Sequence, residues 1–114
     1  MSTISTHVLD TARGVPAEGL PIVLEERTDS VWTRIGGGLT NDDGRVRDLL
    51  DPDRDGLAEG VYRMTFETGA YFERHAITGF YPVVRIVFEV AAPDEHYHVP
   101  LLLSPYGYST YRGS

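Results

Sequence analysis

The chain has 114 residues, which is the size of a single domain and sufficient to bury a core without disulfide or metal staples. Cysteine is absent and all ten basic residues are arginine, which excludes disulfides, thiolate catalysis, lysine Schiff bases and Walker-type phosphate loops. Seventeen acidic residues give a net charge of −7, so the protein repels phosphate backbones and we expect no nucleic-acid partner.

Alternation of apolar and polar residues predicts β-strands along most of the chain. In chain order, the predicted strands cover residues 4–10, 20–27, 31–35, 61–68, 83–90, 96–103 and 106–112. Turn residues separate them at 13–16, 28–30, 36–38, 41–44 and 51–52. Only the stretch around residues 69–76 lacks alternation, and it predicts one short helix that ends before Gly79. Short strands at this spacing are typical of an antiparallel β-sandwich.

Membrane and secretion signals are not found in the sequence. No run approaches eighteen apolar residues, and the first six residues contain neither the basic nor the apolar segment that directs secretion. We therefore expect no membrane partner, and a cytoplasmic protein in which residues 1–114 form one domain.

The strand at 96–103 is apolar on both faces. Tyr97, Val99, Leu101 and Leu103 must face the core, and the opposite face carries His96, His98, Pro100 and Leu102. Because this outer face is too apolar for open water, we expect another subunit to cover it. The first strand has the same character, with Ser5, His7 and Leu9 on one face. His7 and His98 can thus share a poorly hydrated surface, where the pKa of an imidazole is easily tuned.

Several of these features have alternative interpretations. His96 and His98 lie two residues apart on one strand and would bind zinc if a third ligand joined them, or they are polar rings at an interface. The segment at 51–56 matches the first half of a calcium loop, but position twelve is Tyr62 instead of a carboxylate, which favours a solvated loop. Arg45 follows a tight turn and, taken alone, is a charge partner for Asp42 or Asp43.

Three segments together resemble a known family. They are THVLDTARG at 6–14, DGR at 43–45 and HYHVPLLLSPYGYSTYRGS at 96–114, and TGAYF at 68–72 and FYP at 80–82 fit as well. The set is similar to the 5-hydroxyisourate hydrolases, enzymes of purine catabolism in the transthyretin-like family. The final Tyr-Arg-Gly-Ser distinguishes these enzymes from transthyretin, the hormone carrier of the same fold.

The resemblance implies a mostly β, transthyretin-like (prealbumin-like) sandwich of two four-stranded sheets with one short helix around residues 69–76. It implies a homotetramer and a small-molecule substrate, 5-hydroxyisourate, which is hydrolysed to 2-oxo-4-hydroxy-4-carboxy-5-ureidoimidazoline in urate degradation. The family's catalytic residues fall on His7, Arg45 and His98. Substrate contacts fall on His7, Arg45 and the terminal Tyr111, Arg112, Gly113 and Ser114. His96 is not in the family's essential set.

Hydrolysis of a cyclic acyl C–N bond needs a base, a group that stabilises the oxyanion and a proton for the departing nitrogen. The hypothesis assigns the water to His98 and His7 and the oxyanion to Arg45, with no cofactor and no metal. A non-catalytic carrier of a small aromatic ligand is the alternative. The carrier of this fold has lysine where His7 stands, and this sequence has no lysine. A β-sandwich adhesion domain is disfavoured, since we find no secretion signal.

Overall fold

Nine strands and one short helix make up the computed structural model, which describes residues 3–114. The first two residues of the predicted 1–114 domain lie outside the described residues. In chain order the elements are β1 (Ile4–Asp10), β2 (Val15–Pro16), β3 (Pro21–Thr28), β4 (Val31–Leu39), β5 (Arg45–Val46), β6 (Gly60–Phe66), α1 (Thr68–Arg74), β7 (Val84–Val90), β8 (Tyr97–Ser104) and β9 (Gly107–Thr110).

The strands form two sheets that pack face to face, which confirms the predicted transthyretin-like sandwich. One sheet has five strands instead of the expected four, with the order β2-β1-β8-β9 and the two-residue β5 as an additional partner of β1. The other sheet has four strands, in the order β4-β3-β6-β7. All pairs are antiparallel except β1 with β8, which run parallel. Parallel neighbours require a long connection, and here the whole second sheet and the helix lie between them in sequence. The sequence pattern predicted only antiparallel pairing.

Burial follows the predicted alternation in β8 and β1. Tyr97, Val99, Leu101 and Leu103 are all less than a tenth exposed, and Ile4 and Val8 are fully buried beside them. The opposite face of β1 and β8 carries Ser5, His7, Leu9, His98 and Leu102. The core therefore lies between the sheets, and the histidines lie on the outer face of one of them.

Residues 36–38 form part of β4 rather than the predicted turn, so this prediction was wrong. The three glycines pair with β3 at Leu24, Val23 and Ile22. A Cβ added at Gly36 would lie 1.7 Å from the carbonyl oxygen of Leu49, so the backbone of the following loop packs directly on the strand. Gly36 therefore allows this close approach between the strand and the loop.

The predicted turns at 28–30 and 41–44 are confirmed. Asp29 and Ser30 both have positive φ, 50° and 69°, which suits the tight hairpin between β3 and β4. The helix α1 is confirmed over Thr68–Arg74 and ends two residues earlier than predicted, because Ala76 turns into the left-handed region at φ 56°. No helix within residues 3–114 has the length and apolar character needed to cross a membrane.

Candidate active site

His7 lies in the middle of β1, on the outer face of the sheet. Its register partners are Pro100 on β8 and Arg45 on β5, so the imidazole and the guanidinium project from directly opposed positions. Opposed side chains on neighbouring strands have Cβ atoms about 4.5–5.5 Å apart. The sequence-predicted pair His7 and Arg45 is therefore brought together by β5, a strand of only two residues.

The turn at residues 41–44 fixes the position of the two-residue strand β5 beside β1. The side-chain oxygen of Asn41 accepts hydrogen bonds from the backbone N–H groups of Asp43 (2.9 Å) and Arg45 (3.0 Å). Gly44 has φ 74° and accepts a hydrogen bond from the N–H of Val8 at 2.8 Å. A Cβ at Gly44 would lie 2.4 Å from the carbonyl oxygen of Val8, so only glycine allows the turn to dock on β1.

The guanidinium of Arg45 forms no ion pair within residues 3–114. Asp42 and Asp43, its alternative partners from the sequence, form no ion pair with it. Within residues 3–114, carboxylates pair instead with four other arginines, Arg34, Arg54, Arg63 and Arg112. Arg45 therefore presents an exposed, unneutralised positive charge beside His7.

His98 lies on the same outer face, opposite Ser5 in the parallel pairing of β1 and β8. Because Ser5 and His7 are two residues apart on one strand, His98 and His7 are diagonal neighbours. The Nδ1 atom of His98 is 2.7 Å from the hydroxyl oxygen of Ser5, and that oxygen is 3.0 Å from Nε2 of His96. The structure thus brings His7, Arg45 and His98 together and adds two residues, Ser5 and His96.

The hydrogen bonds of Ser5 and His96 were missed by the sequence reasoning. Ser5 shares a face with His7 in the strand pattern, but its contact with His98 depends on the register of β1 against β8. Those strands are separated by most of the chain, and alternation within each strand carries no information on their register. His96 was set aside because the family resemblance assigns it no role.

Both candidate imidazoles favour the neutral form. Burial lowers the pKa of His7 below its ordinary value, and the charge of Arg45 lowers it further against the opposing effect of the Asp43 backbone. Burial also lowers the pKa of His98, followed by the charges of Arg45, His96 and His7. The electrostatic effect of Arg45 on both rings agrees with the proximity given by the strand register. At neutral pH each ring has a nitrogen lone pair and can accept a proton.

The C-terminal tetrapeptide docks on His98. Strand β9 ends at Thr110, earlier than the predicted 112, and Gly113 then returns to β8, where its N–H donates to the carbonyl oxygen of His98 at 2.8 Å. A Cβ at Gly113 would lie 2.4 Å from Cδ2 of His98. Glycine at this position therefore allows the chain terminus to pack against the imidazole.

The other three terminal residues have different surroundings. Tyr111 is 58% exposed, and Ser114 is also exposed, one residue beyond the contact with His98. The guanidinium of Arg112 pairs with Glu95 at 3.0 Å and lies over the ring of Tyr97, 4.7 Å from its centroid. The charge of Arg112 is therefore partly neutralised, unlike that of Arg45.

The candidate residues do not line one closed cavity in a single chain. A depression of about 390 Å³ has Ser5, Arg45 and His96 on its wall, and a cleft of about 300 Å³ has His98, Tyr111 and Arg112 on its wall. The cleft also has core-facing residues of both sheets on its wall, among them Phe88 and Val99, so it lies at the edge between the sheets and not on the outer face. On the outer face itself, Arg45 is exposed.

The sequence offered two alternative metal sites, zinc at His96 and His98 and calcium at residues 51–56. Among residues 3–114, no three His, Cys, Asp or Glu side chains are grouped so as to hold a metal ion. In the half-motif at 51–56, Asp51 pairs with Arg34 at 3.1 Å and Arg54 pairs with Glu26 at 3.0 Å.

The fold and the site define a transthyretin-like β-sandwich with a His–Arg–His cluster on its outer face. Among solved structures, the chain is similar to the 5-hydroxyisourate hydrolase of Klebsiella pneumoniae, with a TM-score of 0.84 and 36% identity over 98% of this chain and 99% of that one. It is also similar to sea bream transthyretin in complex with thyroxine, with a TM-score of 0.89 and 32% identity over 97% of this chain and 94% of that one.

The family profile of the HIUase/transthyretin family matches residues 4–113, and the chain belongs to this family. A curated relative, the 5-hydroxyisourate hydrolase of Salmonella typhimurium, is 48% identical over 97% of this chain and 80% of its own length. The sequence identity between this chain and the 5-hydroxyisourate hydrolases, together with the similar structure of one of them, identifies the chain as an enzyme of the hydrolase type.

Proposed function

We propose that this protein hydrolyses 5-hydroxyisourate to 2-oxo-4-hydroxy-4-carboxy-5-ureidoimidazoline in urate degradation. The observation that carries the proposal is the convergence of two neutral imidazoles and one unpaired guanidinium on one sheet face. The names of its relatives indicate the substrate, and the side chains supply the chemistry that ring opening by water requires.

In the proposed mechanism, His98 and His7 hold the attacking water. As the water oxygen bonds to the ring acyl carbon, one imidazole takes a proton from it and becomes imidazolium. The C–N bond then breaks, and the departing nitrogen takes a proton from the imidazolium, which returns to the neutral form. The low pKa of both rings supports this role, since a base must be neutral before the reaction begins.

Arg45 is proposed to stabilise the oxyanion. Negative charge develops on the acyl oxygen when water adds, and a planar guanidinium offers two parallel N–H donors together with a fixed positive charge. Because Arg45 forms no ion pair within the described chain, this charge is available to substrate without first breaking a contact. No cofactor enters these steps.

Tyr111, Arg112, Gly113 and Ser114 are proposed to contact substrate and close the pocket. The bridge from Gly113 to His98 supports this role, because it holds the chain terminus against one of the two bases. Of the four residues, Tyr111, Arg112 and Ser114 are exposed.

The working form is proposed to be a homotetramer in the cytoplasm, with residues 1–114 as its single domain. In a single chain, Arg45 on the outer face is exposed, and the depression that it lines does not include His7 or His98. A second copy packed on this face would exclude water, which strengthens every electrostatic interaction inside. The half-buried Leu9 and Leu102, opposed on β1 and β8, supply apolar surface for such a contact.

A non-catalytic carrier of a small aromatic ligand is the second candidate. It is favoured by the similarity to sea bream transthyretin in complex with thyroxine. A carrier, however, gains nothing from two neutral bases beside an unpaired arginine.

The test is to mix the purified protein with freshly prepared 5-hydroxyisourate and follow its ultraviolet absorbance. Our proposal predicts rapid loss of the substrate signal, unchanged by a chelator and strongly reduced in a His98→Ala variant. A signal that decays no faster than in buffer would contradict the proposal, and ligand binding without turnover would establish the carrier. Loss of activity on chelation would instead indicate a metal enzyme.

A further inference from the structure

Four side chains form a continuous series of hydrogen bonds at the N-terminal ends of the neighbouring strands β1 and β8. The hydroxyl of Thr3 contacts Nδ1 of His96, and Nε2 of His96 lies 3.0 Å from the hydroxyl oxygen of Ser5. That same oxygen lies 2.7 Å from Nδ1 of His98. The two imidazole rings are close to parallel, with centroids 6.4 Å apart. Neither Ser5 nor His96 has a role in the mechanism proposed above.

The hydroxyl of Ser5 has a single proton, so this series of hydrogen bonds can run in two directions. In one, Nδ1–H of His98 donates to Ser5, Ser5 donates to Nε2 of His96, and Nδ1–H of His96 donates to Thr3. In the other direction, Thr3 donates to Nδ1 of His96, Nε2–H of His96 donates to Ser5, and Ser5 donates to Nδ1 of His98. A neutral imidazole has one N–H and one lone pair, so the direction determines which nitrogen of His98 is the base.

Only the first direction leaves the outer nitrogen of His98, Nε2, with its lone pair. The second direction places the proton on Nε2 and leaves the lone pair on Nδ1, where it accepts the hydroxyl proton of Ser5. The proposed role of His98 as a base requires the first direction, because only then does the ring nitrogen that does not contact Ser5 have a lone pair. Gly113 packs on Cδ2 and hinders a flip of the ring.

We propose that Ser5 and His96 are positioning residues that hold His98 in its Nδ1–H tautomer and leave Nε2 as the general base. The inference rests on the proposed function, because it assigns to His98 the proton transfer that was left open between two histidines. His96 acts through Ser5: its Nε2 accepts the hydroxyl proton that would otherwise point at Nδ1 of His98. Ser5 in turn accepts from His98 across a part-buried contact of 2.7 Å.

The expected effect of breaking this series of hydrogen bonds is modest and specific. Removing either partner takes away one hydrogen bond that favours the productive tautomer, so kcat should fall about three- to tenfold with KM unchanged. A residue that acts only on folding would lower the amount of active protein and leave the tautomer of His98 as it is.

The experiment compares Ser5→Ala and His96→Ala with two conservative variants. Ser5→Thr keeps a hydroxyl at the same place, and His96→Gln keeps an acceptor for Ser5 and a donor for Thr3. Thr33→Ala is the matched control, since it removes an exposed strand hydroxyl from β4 in the other sheet. Each full-length protein is assayed with 5-hydroxyisourate and labelled with 15N-histidine, so that NMR reports which nitrogen of His98 is protonated at neutral pH.

The inference predicts Nδ1–H at His98 in the wild-type protein, in Ser5→Thr and in the control. In Ser5→Ala and His96→Ala it predicts a shift of the His98 tautomer toward Nε2–H and a lower kcat. In His96→Gln the tautomer and kcat should both recover in part. Nε2–H at His98 in the wild-type protein, or an unchanged tautomer and kcat in both alanine variants, would overturn it. A wild-type protein without hydrolase activity would refute the proposed function, whereas the NMR result would still decide which way the hydrogen bonds run.

Discussion

At the scale of single residues, the site depends on charges that the rest of the chain leaves unneutralised. Four arginines pair with carboxylates among residues 3–114, and Arg45 does not. Its positive charge lowers the pKa of both His7 and His98. One guanidinium can therefore both keep the bases neutral and receive the developing negative charge of the oxyanion.

The first prediction concerns Arg45. Arg45→Ala should lower kcat by about 10²–10³, the usual loss when an oxyanion donor is removed. Arg45→Lys should recover little of this, because an ammonium lacks the planar pair of donors. Steady-state kinetics on 5-hydroxyisourate measures both variants. Arg85→Ala, which removes an exposed arginine from β7, is the matched control. An Arg45→Ala enzyme with most of the wild-type rate would show that the role is wrongly assigned.

The second prediction concerns pH. Because the pKa of each histidine is lowered in the folded protein, the unfolded chain binds more protons as the pH falls below the ordinary value of about 6.5. The contribution of the two neutral imidazoles to the free energy of unfolding is therefore complete above that pH. It is lost as the pH falls through the lowered pKa values of the folded protein. Denaturant titrations at several pH values measure this loss, which should be smaller in His98→Gln. An equal acid loss in both proteins would contradict it.

At the scale of elements, short pieces of backbone place the functional groups. Strand β5 has two residues and presents Arg45 opposite His7, and the turn that carries it is fixed by Asn41 and by a glycine with positive φ. The terminal segment is fixed in a similar way by one bridge between Gly113 and His98. These connections are local and tight, so small changes in them should alter activity more than stability.

The third prediction tests the terminal segment. Gly113→Ala places a methyl group 2.4 Å from Cδ2 of His98, so either the ring or the chain terminus must move. Displacements of this size cost about 10²-fold in rate where catalytic geometry is strict. Gly107→Ala is the control, because its nearest contact is an ordinary 3.7 Å. Kinetics and thermal unfolding should show activity lost and Tm preserved for Gly113→Ala. Equal activity in the two variants would contradict the role of the terminus.

The strands could be predicted from the sequence, because alternation of apolar and polar residues is a local signal. The candidate residues His7, Arg45 and His98 were assigned by family resemblance, and their catalytic roles stay a prediction. His7 and His98 were placed correctly on the outer face by alternation alone. The glycines at 36–38 were assigned to a turn because their contact with Leu49 is invisible in the local pattern. The link from Ser5 to His98 was missed for a similar reason, since it depends on the pairing of strands from opposite ends of the chain.

At the scale of the whole molecule, the proposed site needs more surface than one chain provides. The net charge of −7 gives no general attraction for the proposed substrate if it is anionic, so its capture would depend on Arg45. In a single protomer Arg45 is exposed on the outer face, and the depression that it lines does not include His7 or His98. Assembly of copies on this face would supply the missing wall.

The fourth prediction tests that assembly. Leu102→Glu introduces a charge on the outer face, where Leu102 opposes Leu9, and should convert the proposed tetramer to smaller species with loss of activity. Val31→Glu is the control, since Val31 is 60% exposed in the β3–β4 hairpin. Light scattering after gel filtration gives the mass of each, and circular dichroism verifies the fold. A fully active monomeric Leu102→Glu protein would exclude the oligomeric site.

The account rests on His7 and His98 acting as one catalytic unit. The most direct measurement is a double-mutant cycle on kcat/KM with wild-type protein, His7→Ala, His98→Ala and the double variant. Groups that act together are strongly non-additive, so the double variant should be little slower than the slower single variant. Losses that multiply, as they do for independent sites, would contradict the account.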